Sequence, residues 1–409
     1  MAQTATKPAS KAALFEAVRK EFPGTYDKVY TNTAARGLPS RGTRAALDAY
    51  LDQLVDGRVD KQANFNAIER VRSKFAQLIK AHPDEIAYTK NVSEGLNMIA
   101  GSLPWKAGDN VVLCRDVEHP NNIYPWLNLL RRFGVEVRSV PDRDGAIDVD
   151  AMLGLIDDRT RLVTVATVTF APGFRTDVET LGRVCREKDI FFLVDAVQSV
   201  GVVATDVEKL KVDGLAVSTQ KGLCGLYGMG FLYCRRAWAE RITPAALARF
   251  SVDLGPDVHE ATMGDGHYDL MAGARRFDLG NYNYPAAIAV EPSLDLQLDL
   301  GPPVIEDYVC GLSHRLAAGL HQLGLRVSGG PPGPHLAHTV TAGKYARNTH
   351  ESAGDPDSDA LYKHLTDNDV ILTVRRGMLR FSLHLYNNEA DVDRVLDLVR
   401  EWQGGKGGA

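Results

Sequence analysis

Gln62 to Lys80 carries the clearest hydrophobic pattern in the chain. Phe65, Ile68, Val71, Phe75, Leu78 and Ile79 recur at three- and four-residue steps, which places them on one face of an amphipathic helix. From about residue 85 the pattern changes to short apolar runs separated by helical stretches. The runs are Glu85–Thr89, Asn110–Arg115, Val135–Val140, Arg161–Thr167, Ile190–Val194, Leu215–Ser218 and Gly230–Cys234. Many are continuous rather than alternating, as expected of strands buried on both faces. Strand and helix in repeated succession predict an α/β domain around a mostly parallel sheet.

After about residue 300 the rhythm shifts. A helix over Glu306–Leu323 leads to a strand near Leu325–Ser328, then to a Gly-, Pro- and His-rich stretch, Gly329 to Asp359, that reads as a long loop around one strand. Val370–Val374 and Leu379–Leu385 are separated only by Arg375–Met378, which predicts a hairpin. A helix from Glu389 to Trp402 closes this smaller α+β unit. Residues 1–25 read as a loose tail with a short helix near Ala13–Glu21, residues 26–298 as the large domain and 299–409 as the small one, against which the N-terminal segment packs.

Composition narrows the function classes. The 409 residues are 44% apolar and 24% charged, ordinary for a globular protein, and the net charge of -5 disfavours a nucleic-acid partner. No apolar run approaches the roughly 18 residues of a membrane span, and the lysine-bearing opening residues do not read as a signal peptide. Cys114, Cys185, Cys224, Cys234 and Cys310 are scattered, with no CxxC or metal-ligand spacing. That usage predicts a reducing, cytoplasmic setting and no metal.

The chemistry concentrates between Ile190 and Arg235. The run Ile190–Val194 ends on Asp195, a carboxylate at a strand terminus where ligands of α/β sheets bind. Further on, Ser218-Thr-Gln-Lys221-Gly-Leu-Cys-Gly225 follows another short strand. A lysine among small residues at a strand end is a candidate nucleophile, because desolvation frees its amine for a Schiff base. Each feature alone has a plainer reading, a capping Asp and a solvent-facing Lys.

Together, Asp195-Ala-Val-Gln198 and Ser218-Thr-Gln-Lys221 resemble the class V aminotransferase family, which includes cysteine desulfurases and isopenicillin N epimerase-like enzymes. The resemblance runs from about Tyr30 to Trp402. It implies the aspartate aminotransferase-like fold (fold type I), with a seven-stranded, mostly parallel sheet, and pyridoxal 5′-phosphate as cofactor. By that resemblance Lys221 is the Schiff-base lysine, Asp195 partners the pyridine nitrogen, Gln198 bonds the phenolic oxygen and Ser218 caps the phosphate. Gln220 stands where the family often has His, and an amide still donates to phosphate.

Further motifs carry the same implication. Thr89-Lys-Asn-Val-Ser-Glu-Gly-Leu-Asn97 resembles the small-residue turn that cradles the phosphate, with Val92 and Ser93 as contacts and Asn91 or Ser93 as helix cap. Glu118-His-Pro-Asn-Asn-Ile-Tyr-Pro-Trp126 supplies His119, which stacks on the pyridine ring and is available as an acid or base. Arg276-Phe-Asp-Leu-Gly-Asn-Tyr-Asn283 resembles the loop that reaches a partner subunit's phosphate, with Asn281 replacing the usual Thr, and so implies a homodimer. Leu379-Arg-Phe-Ser-Leu-His-Leu-Tyr-Asn-Asn388 supplies Arg380 for the substrate α-carboxylate, a planar guanidinium suited to it. Asn32, Arg36 and Arg375 are expected around the same substrate, and Gly95, Gly222, Gly225 and Gly280 in turns that approach the cofactor.

The departures bear on the reaction. A cysteine desulfurase needs a mobile cysteine, yet Arg375-Arg-Gly-Met378, where the most similar group carries one, holds none. Cys224, three residues after Lys221, reads as filler. The expectation is Cα deprotonation of an amino acid by Lys221 followed by loss of a β-substituent, a C–S lyase-type elimination. Transamination and epimerisation remain open, as does a cofactor-binding protein without catalysis. A nicotinamide enzyme is weaker, since Gly222, Gly225, Gly228 and Gly230 do not have the G-x-G-x-x-G spacing.

Overall fold

The computed structural model describes residues 10–255, 268–346, 349, 352, 353 and 355–406. The extreme N-terminus and part of the 329–359 loop lie outside them. In chain order the helices are α1 (Lys11–Arg19), α2 (Arg41–Val55), α3 (Lys61–Ile79), α4 (Val92–Ser102), α5 (Tyr124–Phe133), α6 (Val149–Gly154), α7 (Val178–Glu187), α8 (Arg236–Ala239), α9 (Tyr284–Leu300), α10 (Pro302–Gln322), α11 (Pro356–Asp367) and α12 (Glu389–Lys406). The strands are β1 (Val29–Tyr30), β2 (Ile86–Thr89), β3 (Asn110–Leu113), β4 (Glu136–Ser139), β5 (Thr160–Ala166), β6 (Phe191–Asp195), β7 (Gly214–Ser218), β8 (Gly230–Cys234), β9 (Val252–Asp253), β10 (Asp269–Leu270), β11 (Thr339–Gly343), β12 (Val370–Ile371), β13 (Thr373–Arg375) and β14 (Met378–Ser382).

Helix α3 shows how local sequence sets an element. Asp60 accepts from the Gln62 and Ala63 amides, and Lys80, left-handed at φ 58°, ends the helix. Its buried face carries Ile68, Val71, Phe75, Leu78 and Ile79, and Phe75 stacks on Phe231 of β8 with centroids 4.0 Å apart. Phe65 is only half-buried.

The seven runs form one sheet in the order β2-β8-β7-β6-β5-β3-β4. β8 alone runs against the direction of the other six strands. Strands β2, β3, β5, β6 and β7 therefore end on the same edge. Four of the central strands, β3, β6, β7 and β8, are buried along their whole length, which explains their continuous apolar runs.

The C-terminal unit is built on β11-β14-β13, with β13 and β14 joined as the expected hairpin through left-handed Arg376 (φ 49°) and Gly377 (φ 79°). The strand expected near Leu325–Ser328 reduces to one bridge, Val327 to Ala342. Gly329 and Gly330, at φ 76° and 75°, turn the chain away before a ladder extends. The short helix expected near Ala13–Glu21 packs on the C-terminal unit: Phe15 and Val18, and Phe22 just beyond it, are buried in the same core as Val309, Leu316, Phe381 and Val395. Burying each phenylalanine contributes about 1.5–3 kcal/mol. No helix among the described residues is long and apolar enough to cross a membrane.

Candidate active site

A cavity of about 340 Å³ opens at the shared strand edge. It is lined by Val92 and Ser93 from the start of α4, His119 after β3, Asp195 at the end of β6, Gln198, and Ser218, Gln220 and Lys221 at and beyond the end of β7. Parallel strands deliver these residues to one place because every loop involved leaves the sheet at its carboxyl edge.

Asp195 is buried, and its Oδ1 accepts from the Val197 amide at 3.0 Å. Burial pushes this carboxyl up, while the Val197 amide and the Lys221 charge pull it back. A cationic ring nitrogen would satisfy it in the same sense. Lys221 opens into this recess rather than onto the outer surface. Burial drives its amine down to about 8, with the charges of Arg380 and Arg375 adding to the shift and Asp195 opposing it. That is the range in which an amine is a usable nucleophile near neutrality.

The segment expected to cradle the phosphate begins a helix, and Asn91 is the cap: its Oδ1 accepts from the Glu94 amide at 3.0 Å. Ser93 sits in the first turn instead. The Val92 amide, expected on the phosphate, donates to Ser218 Oγ at 2.8 Å. That bond ties the start of α4 to the end of β7 and sets Ser93 and Ser218 side by side at the cavity wall. Gln198 donates from Nε2 to the Ala34 carbonyl at 3.1 Å, and its Oε1 is buried without a partner. An orphaned polar atom in a cavity of this size fits a polar ligand.

His119 is held by its neighbour. Glu118 is wholly buried, accepts from Asn122 Nδ2 at 2.9 Å and from the Ala166 amide at 2.6 Å, and so pins the His119 turn to β5. Burial pushes the Glu118 carboxyl up to about 8, helped by Asp195. The His119 ring meets Phe170 edge-on, centroids 5.4 Å apart. Phe170 in turn lies under the Arg376 guanidinium at 4.7 Å.

Five expected residues lie off the cavity wall. Arg380 is buried on β14 and donates to the Phe170 carbonyl at 2.8 Å and Thr373 Oγ1 at 3.2 Å. Asn32 bridges to Ser382, and its Oδ1 is buried and unpartnered. Arg375 is half-buried in the hairpin and donates to the Val374 carbonyl. Arg36 is exposed; its carbonyl accepts from Tyr30. Asn281 lines a separate recess with Tyr88, Thr89, Lys90 and Gly228. The Asn281 loop is anchored by Asp278, which takes the Tyr88 amide, the Tyr282 hydroxyl and the buried Arg72 guanidinium, each at 2.8 Å.

The glycines answer to the protein more than to a ligand. A Cβ on Gly95 would meet Ala216 at 3.1 Å, one on Gly222 the Val200 carbonyl at 2.3 Å and one on Gly225 Thr219 at 2.9 Å. Gly280 faces open space. Sequence reading missed Phe170, Glu118 and Arg376 as site residues. An acid directly before His119 and a Phe-Ala-Pro step after β5 were the available signals.

The family model for Aminotransferase class-V matches residues 57–395. The chain belongs to that family. A probable cysteine desulfurase of Methanothermobacter thermautotrophicus is 31% identical over 95% of this chain and 98% of its own length. The cysteine desulfurase of Thermococcus onnurineus superposes with a TM-score of 0.82 at 26% identity, covering 95% of this chain and 98% of that one. A cystine C–S lyase in complex with cysteine persulfide shares the fold, with a TM-score of 0.80 at 24% identity and coverage of 92% and 98%. This class V protein is thus a pyridoxal phosphate-dependent enzyme of fold type I acting on small amino-acid substrates.

Proposed function

We propose that this class V enzyme eliminates a β-substituent from a sulfur-bearing amino acid without passing sulfur through a protein cysteine. Lys221 would carry the cofactor and act as the base that takes the Cα proton. Asp195 would hold the ring nitrogen, His119 would cover the ring, Gln198 would meet the phenolic oxygen, and Ser93, Ser218, Gln220 and the start of α4 would hold the phosphate. Arg380, with Asn32 beside it, orients the α-carboxylate, and Arg375 and Arg36 border the substrate side chain. Bound pyridoxal phosphate supplies the electron sink that makes the Cα proton removable. The net reaction takes a cysteine S-conjugate and water to a thiol, pyruvate and ammonium.

The observation that carries this reading is the state of the cysteines. All five are buried. Cys224 is nearest to Lys221 in sequence, but burial pushes its thiol up to about 12. A buried, protonated thiol is a poor sulfur acceptor. Cysteine desulfurase relatives make the alternative concrete, a protein-bound persulfide. Holoenzyme incubated in parallel with free cysteine, the only one of these that can be desulfurated, and with cystine and cysteine S-conjugates separates them. Elimination releases pyruvate and ammonium in equal amounts; desulfuration yields alanine and a protein 32 Da heavier per sulfur atom taken up. Amino transfer that requires a keto acid and releases no pyruvate from the donor would point to transamination. The same reading extends to a homodimer in which Asn281 serves a partner's phosphate, to large and small domains at 26–298 and 299–409, and to a cytoplasmic setting.

A further inference from the structure

We infer that His384 is a positioning residue that holds the Lys221 peptide in register with Arg380. The inference rests on Lys221 being the reacting amine, as proposed above.

The carbonyl of Gly222, the residue after Lys221, takes two side-chain donors. His384 Nε2 donates at 2.8 Å and Gln297 Nε2 at 2.9 Å. The ring has no choice of tautomer, because its Nδ1 accepts from the Leu385 amide at 2.7 Å. Burial, which holds His384 down to about 4, keeps it neutral and supports the same assignment. Tyr386 stacks on the ring, centroids 5.1 Å apart and planes 13° from parallel, which fixes its orientation.

Sterics close the remaining freedom. A Cβ on Gly201 would sit 2.2 Å from the Gly222 carbonyl oxygen, and one on Gly37 would sit 2.2 Å from the Lys221 carbonyl oxygen. The Gly37 amide also donates to the Gln220 carbonyl at 2.8 Å. Three separate parts of the chain therefore grip the peptides around Lys221: the segment near Gly37, α9 through Gln297, and the loop after β14 through His384.

The last grip matters most for chemistry. Arg380 lies on β14, and His384 lies two residues beyond the end of that strand. One short stretch of the small unit thus carries the proposed carboxylate receptor and fastens the backbone of the proposed base. His384 sets where the amine stands relative to a carboxylate on Arg380. Proton transfer is sensitive to such placement, and a shift of about 1 Å costs on the order of 100-fold in rate.

The test uses holoenzyme variants. His384→Leu removes the donor, and His384→Gln returns an N–H at similar reach. His384→Leu is expected to lower kcat about tenfold or more with KM within about twofold, and to speed amide exchange over residues 219–225, while His384→Gln restores most of both. If His384→Leu does not fold, Gln297→Leu is expected to show the same split at smaller size. Parent-like kcat in the folded variants, a loss confined to KM, or a Gln variant as slow as Leu would overturn the inference. Borohydride trapping with peptide mapping tests the underlying reading separately: a label on any lysine other than Lys221 removes that reading, and the clamp falls with it.

Discussion

Arg380 donates a hydrogen bond from Nη1 to the Phe170 carbonyl at 2.8 Å, and no carboxylate pairs with it among the described residues. Burial, with Arg375 adding its charge, pushes Arg380 down to about 9. A guanidinium keeps its proton near neutrality, so the strain is expressed as affinity for an anion. Arg380→Leu should raise KM for the amino acid at least about 100-fold. It should also raise the unfolding midpoint without substrate, since replacing a buried unmatched charge by an apolar side chain is often neutral or stabilising by about 1–4 kcal/mol. Steady-state kinetics and thermal melts of parent and variant check both halves. A variant with lower stability and unchanged KM would contradict the role.

Lys221 sets the pH at which the apoprotein regains colour. Its amine is neutral above about 8. The rate at which visible absorbance grows on adding pyridoxal phosphate should climb about tenfold per pH unit below that value and level off above it. Lys221→Ala should show no borohydride-reducible band at any pH. A pH-independent rate in the parent would refute the assignment of the free amine.

Glu118 should leave a mark on stability. Its native carboxyl keeps a proton up to about 8, against 4.5 for an ordinary glutamate. The native state therefore binds more protons than the unfolded chain between those values, and this contribution to stability is lost as pH rises through them. Glu118→Gln removes the titration, so the fall in apoprotein stability from pH 5 to pH 8 should be shallower. Urea melts at the two pH values decide it, and an equally steep fall in the variant is the contrary result.

Asp278 bears on the Asn281 loop. It is the buried counter-charge of Arg72, at 2.8 Å, and it also takes the Tyr88 amide. Asp278→Ala should destabilise the chain by about 3–5 kcal/mol, because it strands a guanidinium in the core. Adding Arg72→Met to it should recover part of the loss. Chemical denaturation of the single and double variants measures this, and strict additivity would mean the two side chains do not depend on each other.

Much of the large sheet was legible because its strands are buried on both faces and read as unbroken apolar runs. Helices α2 and α9 were less so, for opposite reasons. Leu51, Leu54 and Val55 of α2 are exposed, so its apolar residues do not mark one inward face. Helix α9 buries Ala286, Ala289, Val290, Ser293 and Gln297 and contains Pro292, so neither polarity nor periodicity marks it clearly. Within the site, residues at strand ends could be placed from short motifs. Phe170, Arg376 and His384 act through partners far away in sequence, and no local pattern encodes those contacts. The glycine cluster was visible, yet its reason was not, because close approach of backbone to backbone leaves no compositional trace.

The short parallel pairing of β1 with β12 joins Val29 to Val370 and Tyr30 to Ile371. Beside it, Asn32 meets Ser382. These contacts span most of the chain, so closing them carries a high loop entropy and comes late in folding. During synthesis Phe15 and Phe22 wait for core partners far along the chain, among them Val309, Phe381 and Val395. Residues 305–399 thus complete the core around those two rings. A nascent chain stalled before residue 305 would leave both rings without that core and the Gly222 carbonyl, next to Lys221, without His384.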